Sequence, residues 1–509
     1  MKNKSNGLTR RKFISNLGYS AAAIPLINAG SKFNFHSAEE QDLIIDKIPG
    51  AKQPNIIFIL SDDHRYDFMS FMGKPSFIKT PAMDKMAKEG VQFKNTFVTT
   101  SLCSPSRASI LTGQYSSKHG VIDNDAPEPK NNVYFPQYLQ KLGYETAFIG
   151  KWHMGDITDA PRKGFDKWIS FKGQGVYWNP EFNIDGKHVK REGYVTDLLT
   201  DYAIEWINKK RDKPFFLYLS HKAVHAMFEP AKRHLGLYND VKIEYPASMA
   251  DNMQNYEGKP LWVHAQRYSW HGVDYLYQGQ IDFDTFYRRY CETILSLDES
   301  IGKVLDNLEK ENLTKSTVVF YTTDNGFTLG EHGLIDKRQM YEESIRIPLL
   351  MYAPGFVTPG KKYSEMVLNV DFAPTMLDLA GMKKPKDMDG SSFLPLLKGD
   401  NSNWRKSFVY EYYWERPFPY TPTVYGIRTD KFKHISYYGI WDTDELYDLE
   451  NDPHEMHNLF NLPEYKDMAD DMIKQMFTWL KENNADKIHV KRPTNWQANL
   501  RKGNVIFSE

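Results

Sequence analysis

Cys103-Ser104-Pro105-Ser106-Arg107 is the stretch of this 509-residue chain whose residue types are hardest to explain by packing. A proline two residues after a cysteine suits a turn or the first position of a helix, and Ala108-Ser-Ile-Leu-Thr112 continues that helix. Cys103 is thereby expected at or just before a helix N-terminus, where backbone N–H groups and the helix dipole favour anionic groups. Two doublets, Asp62-Asp63 and Asp324-Asn325, offer only oxygen donors. Such donors suit a hard cation, Ca²⁺ or Mg²⁺, better than zinc, which prefers nitrogen and sulfur. Taken singly, either doublet reads equally well as a turn or a helix cap. The basic residues Lys151, His153, His225 and Lys337 complete the set, although a lone Lys or His is more often a surface or satisfied core group.

These residues share a position: most of them follow a strand-length apolar run. Asn55-Ile-Ile-Phe-Ile-Leu60 has the pattern of a strand buried on both faces. Similar runs are Thr146-Ala-Phe-Ile149, Phe215-Phe-Leu-Tyr-Leu219, Thr317-Val-Val-Phe-Tyr-Thr322 and Pro348-Leu-Leu-Met-Tyr352, with helical patterns over 194–208 and 287–308 between them. Strands alternating with helices predict an α/β sandwich with a mostly parallel sheet. In open sheets of this kind ligands bind beyond the carboxyl ends of the strands. Asp62-Asp63 follows the first run, Lys151-Trp152-His153 the second, His221 and His225 the third, and Asp324-Asn325-Gly326 the fourth. Four consecutive predicted strands thus deliver ionisable groups to one edge, and together with Cys103 this lifts the metal reading above the turn reading. After about residue 385 the texture changes. Ser407-Phe-Val-Tyr-Glu-Tyr-Tyr413, Tyr425-Gly-Ile-Arg428 and Phe432-Lys-His-Ile-Ser-Tyr-Tyr438 read as short antiparallel strands, and 464–484 as a closing helix.

Bulk composition narrows the class. Hydrophobic residues make up 41% and charged residues 25%, the balance of an ordinary globular protein. A formal net charge of −1 supplies no field to gather nucleic acid or an anionic membrane. Residues 1–30 are expected to be an export signal: Thr9-Arg10-Arg11-Lys12-Phe13-Ile14 precedes a mildly apolar stretch and resembles a twin-arginine leader, used for proteins exported already folded. That stretch is too short and broken to span a membrane, and no cysteine precedes residue 103 to carry a lipid anchor. Residues 31–52 read as a polar linker. The expected location is therefore periplasmic or secreted, without a membrane anchor.

The Cys103 run, with Leu111-Thr112-Gly113 downstream, resembles the signature of type I sulfatases, C-x-P-S-R followed by T-G, in which the cysteine is oxidised to formylglycine (3-oxoalanine). Gly150-Lys-Trp-His-Met-Gly155 is similar to the family's G-K-W-H-x-G segment, and Ser220-His-Lys-Ala-Val-His225 to the run that ends in a catalytic histidine. Ser61-Asp62-Asp63, Thr323-Asp-Asn-Gly326, Glu331-His-Gly333, Asp336-Lys-Arg-Gln-Met-Tyr341 and Leu446-Tyr-Asp-Leu-Glu-Asn-Asp452-Pro453 extend the resemblance from Pro54 to about Leu459. The departures are His64-Arg65 after the paired aspartates and a second histidine, His221, near His225. The resemblance implies an alkaline-phosphatase-like α/β sandwich. Its catalytic domain would span 53–385 around the large, mostly parallel sheet, with a C-terminal subdomain and smaller antiparallel sheet over 386–509. It also implies a formylglycine-generating maturation enzyme as a partner. With Cys103 modified, Cys291 has no partner and no disulfide framework is available.

Roles follow from the same resemblance. Asp62, Asp63, Asp324, Asn325 and the modified Cys103 would hold one Ca²⁺. The aldehyde of residue 103 hydrates to a gem-diol, its ionised form favoured by Arg107 and the metal, and one hydroxyl attacks sulfur with Asp324 as base. A sulfate ester carries a delocalised negative charge and loads charge onto its bridging oxygen in the transition state, so cations must surround the sulfate and an acid must meet the leaving group. Lys151 would hold the sulfate, and His225, assisted by Lys337, would protonate the leaving sugar oxygen. His153 would then take the proton of the remaining hydroxyl, and collapse to the aldehyde would expel sulfate.

The alternatives are a phosphonate or phosphodiester hydrolase of the same superfamily, and a non-catalytic sugar-binding relative with Cys103 unmodified. The substrate is expected to be a sulfated carbohydrate whose identity is set by insertions. The connection over 227–286 is long and carries Trp262, His264, Trp270, His271, Tyr275 and Tyr277. Asp336-Lys-Arg-Gln-Met-Tyr341 resembles the corresponding run of N-acetylglucosamine-6-sulfatases; glycosaminoglycans and algal polymers such as ulvan or carrageenan are the candidates.

Overall fold

Ile56 to Leu60 are fully inaccessible to solvent, as a strand covered on both faces must be. The computed structural model describes residues 43–50, 52–155, 158–268, 276–277, 279 and 281–487. The expected export signal, most of the expected linker, and Trp270, His271 and Tyr275 lie outside these residues. In the large sheet the strands are β1 (Asn55–Ser61), β2 (Val91–Phe97), β3 (Glu145–Lys151), β4 (Lys167–Phe171), β5 (Glu181–Ile184), β6 (Lys187–Lys190), β7 (Phe215–Ser220), β8 (Thr317–Thr323), β9 (Arg346–Ile347), β10 (Leu349–Tyr352) and β11 (Lys361–Leu368). Their order is β11-β2-β10-β8-β1-β7-β3-β4-β5-β6, with β9 beside β2. From β8 to β4 the pairings are all parallel, which sets the carboxyl ends of β8, β1, β7, β3 and β4 along one edge. β10 pairs antiparallel with both β2 and β8, and β5 and β6 close the far side antiparallel. The sheet is thus mixed and largely parallel, as expected. The five apolar runs are β1, β3, β7, β8 and β10, with ends displaced by one or two residues.

Helices Val195–Ile207 and Phe283–Lys310 help cover the sheet. On the longer one, Phe286, Tyr290, Ile294, Leu297, Ile301, Val304, Leu305 and Leu308 recur at three- and four-residue steps and are buried. It begins four residues before the expected start because Asp282 caps it, its side chain accepting from Thr285 N–H at 2.9 Å. A second sheet, order β12 (Ser407–Tyr412), β13 (Thr423–Thr429), β14 (Phe432–Tyr438), β15 (Glu445–Asp448), is antiparallel throughout. Its fourth strand comes from the Leu446-Tyr-Asp segment, which the sequence marks only as a motif. Helix Lys466–Glu482 lays Ala469, Met472, Met476 and Leu480 on Val409, Tyr425 and Ile427 of this sheet. Among the described residues no helix is long and apolar enough to cross a membrane.

One glycine is indispensable to the edge where the strands end. Gly150 sits opposite Ser220 in the β3–β7 pairing at φ +124°, and a Cβ there would fall 1.7 Å from the Ser220 carbonyl oxygen. Backbone cannot retreat as a side-chain tip can, so Gly150→Ala should destabilise the protein by about 3 kcal/mol or more. Thermal unfolding checks this; a melting temperature within about 2 °C of wild type would show that the strand end relaxes freely.

Candidate active site

The helix expected after Cys103 runs Cys103–Thr112, so Cys103 is its first residue and Pro105 lies in the first turn. Gly113, at φ +70°, closes it with an N–H bond to the Ser109 carbonyl at 2.8 Å. All ten residues are buried, so every polar side chain on the helix must find its partner inside the protein. Ser104 Oγ donates to the His153 carbonyl, and Ser106 Oγ to the Asp324 carbonyl at 2.5 Å. Arg107 bonds through all three nitrogens: Nε to Asp324 Oδ2 at 2.9 Å, Nη2 to Asp62 Oδ2 at 3.2 Å, and Nη1 to the Lys151 carbonyl at 2.8 Å and Ser220 Oγ at 2.7 Å. One buried helix is stitched in this way to the ends of β1, β3, β7 and β8.

Beyond those ends the acidic and basic groups interleave. Asp62, Asp63, Asp324 and the Cys103 thiol place four ligand atoms within 4.8 Å of one another. Lys337 Nζ lies 2.5 Å from Asp63 Oδ1 and 2.9 Å from Cys103 Sγ, and Lys151 Nζ contacts Asp62 Oδ2. Lys337 is carried by a loop pinned where Thr328 and Asp336 bond to each other in both directions, at 2.7 and 2.8 Å. The Asp62-Asp63 turn is held from the long helix: Tyr290 Oη donates to the Asp63 carbonyl at 2.7 Å and accepts from Arg65 N–H at 2.9 Å.

Burial opposes charge on every one of these carboxylates, and neighbours decide the outcome. Lys151, Arg107 and Lys337 outweigh burial at Asp62 and hold it well below the carboxylate range. At Asp63, burial together with Asp62 and Asp324 prevails over Lys337, and the pKa is pushed up to about 7. Burial and Asp62 likewise raise Asp324 against Arg107, Lys151 and Lys337. Three carboxylates thus face three cations, Arg107, Lys151 and Lys337, and it is burial foremost that raises Asp63 and Asp324. Asn325 adds a further donor: its Nδ2 is bonded to Asp63 Oδ1 at 2.6 Å and the Gly326 carbonyl at 2.8 Å, while its buried Oδ1 has no partner. Three carboxylates and an orphaned amide oxygen are the donor chemistry of a hard divalent cation, and the residues fit Ca²⁺. Burial and Asp62 push the Cys103 thiol up despite Lys151 and Lys337, so an unmodified thiol here is a poor nucleophile.

Two histidines flank the cluster. His225 Nε2 is 3.9 Å from Asp63 Oδ2, and Nδ1 donates to the Ala226 carbonyl at 2.5 Å. Burial and Lys151 push both His225 and His153 well down, so both rings are neutral in the absence of substrate. The remaining two histidines of interest lie elsewhere. His221 Nε2 pairs with Ser300 Oγ at 3.0 Å, and His64 sits between Tyr321 Oη at 2.5 Å and the Phe68 carbonyl at 3.0 Å. Both fasten strand ends to neighbouring elements. The structure thus brings together Asp62, Asp63, Cys103, Arg107, Lys151, His153, His225, Asp324, Asn325 and Lys337, and leaves His64 and His221 outside.

Sequence reasoning missed the contribution of β4. The loop after it supplies Gln174, with Oε1 2.5 Å from Lys151 Nζ and Nε2 3.0 Å from His153 Nε2, and Tyr177, whose Oη donates to the His225 carbonyl at 2.7 Å. The available signal was Trp168-Ile-Ser-Phe171, a short apolar run followed by polar residues, like the four runs that carry the other site residues. In the long connection, Trp262 packs on Tyr437 with ring centres 4.9 Å apart, His264 bonds Asp251 at 2.9 Å, and Tyr277 lies beneath Arg267.

A family model described as Sulfatase matches residues 54–382, and one described as N-sulphoglucosamine sulphohydrolase, C-terminal, matches residues 330–482. The N-acetylglucosamine-6-O-sulfatase of Bacteroides thetaiotaomicron is 38% identical over 479 residues, covering 82% of this chain and 84% of the relative. The N-acetylglucosamine-6-sulfatase of Homo sapiens is 31% identical over 397 residues, covering 71% and 68%. Among solved structures, a protein in complex with its substrate D-glucosamine-2-N,6-O-disulfate has a TM-score of 0.76 at 35% identity, covering 86% of this chain and 99% of that one.

Proposed function

The chain belongs to the sulfatase family and is a sulfuric ester hydrolase, and from that premise we propose that it is an exported enzyme that removes 6-O-sulfate from glucosamine residues of a glycosaminoglycan-type oligosaccharide. The observation that carries this reading is the buried helix that sets residue 103 among oxygen donors and three cations. Similarity to N-acetylglucosamine-6-sulfatases over most of the chain supports the sugar. The similar structure solved with D-glucosamine-2-N,6-O-disulfate as its substrate supports the sulfate position.

As formylglycine, residue 103 supplies a hydrated aldehyde, one hydroxyl of which is the nucleophile while the other allows the sulfated residue to break down. Asp62, Asp63, Asp324 and Asn325 would hold Ca²⁺, which supplies Lewis-acid charge beside the sulfate. Asp324, its pKa raised by burial and Asp62, is suited to accept the proton of the attacking hydroxyl. Lys151 and Lys337 bind the sulfate oxygens, and Arg107 fixes Asp62 and Asp324 around them. Substrate brings negative charge between the two lysines, which favours protonation of His225, and that proton passes to the leaving sugar oxygen. His153, kept neutral by burial, Lys151 and Arg107, takes up the last proton as sulfate departs.

A sugar site must pair several hydroxyls, and the unpaired groups left by a simple aryl ester penalise it. Sulfated oligosaccharides carrying glucosamine 6-O-sulfate should be cleaved at least about 100-fold faster, by kcat/KM, than nitrophenyl sulfate. Ulvan, carrageenan and phosphate or phosphonate esters should be poor substrates. If the aryl ester is the better substrate and no sulfated glycan releases sulfate, the carbohydrate assignment fails while the sulfatase chemistry stands.

A further inference from the structure

We infer that Tyr290 is a positioning residue for the metal ligands: its hydroxyl holds the turn that brings the Asp62 and Asp63 carboxylates beside Asp324, and so sets the affinity for Ca²⁺. Asp63 has φ +59°, in the left-handed region that few residues other than glycine adopt. Such a conformation persists only where its surroundings fix it. On one side the turn is tied down by backbone, Asp62 N–H donating to the Ala223 carbonyl at 2.9 Å and its carbonyl accepting from Val224 N–H at 2.7 Å. On the other, His64 N–H donates to Thr323 Oγ1 at 3.1 Å. Asp63's own N–H donates to Asp324 Oδ1 at 3.2 Å, a carboxylate that is itself one of the metal donors. Its carbonyl is held from outside the cluster. A carbonyl only accepts, so the Tyr290 hydroxyl hydrogen points at Asp63 at 2.7 Å and its lone pair is left for Arg65 N–H at 2.9 Å. One hydroxyl thus bridges the residues on either side of His64.

Tyr290 can act as a fixed point because its ring is seated independently of the hydroxyl. The side chain is fully buried on helix Phe283–Lys310. Its ring centre lies 5.4 Å from that of Phe68, 4.9 Å from Phe228 and 6.4 Å from Phe327. Each of these phenylalanines follows a segment that delivers a site residue: Phe68 comes after Asp63, Phe228 after His225, and Phe327 after Asn325. Phenylalanine at position 290 would keep this seat and delete only the hold on the turn. The Asp63 carbonyl and Arg65 N–H would then lack their partner, and nothing beyond the cluster would keep Asp63 left-handed. The inference rests on the Ca²⁺ site of the proposed function. Residues that orient metal ligands without touching the metal change its affinity by about 10- to 100-fold when they are removed.

The test is calorimetric titration of Ca²⁺ into the whole metal-stripped chain, comparing wild type, Tyr290→Phe and Tyr321→Phe. Tyr321 is the control because its hydroxyl is equally buried beside the same turn but meets side chains that are not ligands, His64 Nδ1 at 2.5 Å and Ser61 Oγ at 3.2 Å. Both variants lose a buried hydrogen bond and should melt about 2–4 °C lower without metal. Tyr290→Phe should bind Ca²⁺ at least about tenfold more weakly, and Tyr321→Phe within about twofold of wild type. A purely structural role lowers both melting temperatures and moves neither dissociation constant. Wild-type affinity in Tyr290→Phe, or equal weakening in Tyr321→Phe, would overturn the inference. Should Tyr290→Phe not fold, Phe327→Leu keeps the hydroxyl but unseats one side of the ring and should weaken Ca²⁺ by about fivefold; unchanged affinity there would count the same way. Wild type that takes up no Ca²⁺ removes the metal reading and this inference with it, whereas wild type and Tyr290→Phe binding equally well removes this inference alone.

Discussion

Cys103→Ala abolishes sulfate release, by at least about 10⁴-fold in kcat, and leaves the protein folded. The fold has little use for the sulfur. Cys103 is the first residue of its helix, the bonds that seat that helix run through Ser104, Ser106 and Arg107, and alanine is a good helix former. Loss of one buried sulfur should cost about 1–2 kcal/mol. Chemistry has every use for it, because the other site groups bind, neutralise or carry protons and none of them can replace the covalent partner. Cys103→Ser should be as inactive when produced with a cysteine-dependent maturation system, although a hydroxyl is itself a nucleophile in other enzymes. Intact mass supplies the positive control, because conversion of CH₂SH to CHO lowers the mass by about 18 Da. Turnover by the alanine variant at the wild-type rate would remove residue 103 from the mechanism altogether.

Much of this site is legible in the sequence because its parts hang from the most legible strands. A run such as Ile56 to Leu60, apolar without alternation, short and rich in isoleucine, reads as a strand covered on both faces, and the residues after it emerge at the sheet edge. Asp62, Lys151 and Asp324 are found by that rule alone, which leaves His221 and His225 level; the resemblance of the run over 220–225 is what favours His225. The rule fails for β4, β5 and β6, which are short and toward the sheet's rim, with Glu181, Lys187 and Lys190 exposed. Gln174 and Tyr177 vanish with them, as does Tyr290, one aromatic among many on a helix. The strand-end rule cannot sort the histidines, for a different reason. His64 and His221 are taken out of the site by Tyr321 and Ser300, partners that only the folded chain brings near. A histidine's role is set by what its ring nitrogens meet, and local sequence does not carry that.

Stripping divalent ions with a chelator should silence the enzyme, and Ca²⁺ alone should restore it, with close to one ion bound per chain. The donors are all oxygen apart from residue 103, so zinc has little to prefer in the site. Asp63→Asn removes a charge while keeping a single oxygen donor and should weaken Ca²⁺ at least about 100-fold, read by calorimetry and by loss of the thermal shift. The shift itself should depend on pH, with a sign that follows from Asp63. Burial, Asp62 and Asp324 raise its folded-state pKa to about 7, against about 4 when unfolded. Between those values the metal-free folded protein binds more protons than the unfolded chain, so this group's contribution is full below the unfolded pKa and is lost as pH rises through the folded one. A divalent cation reverses the balance by favouring the ionised carboxylate. The rise in melting temperature on adding Ca²⁺ should therefore be larger near about pH 7.5 than near about pH 5. Stoichiometric zinc in the purified protein, or no metal at all, would count against the donor assignment. A Ca²⁺ shift of equal size at both pH values would show that the buried carboxylates are not where the ion acts.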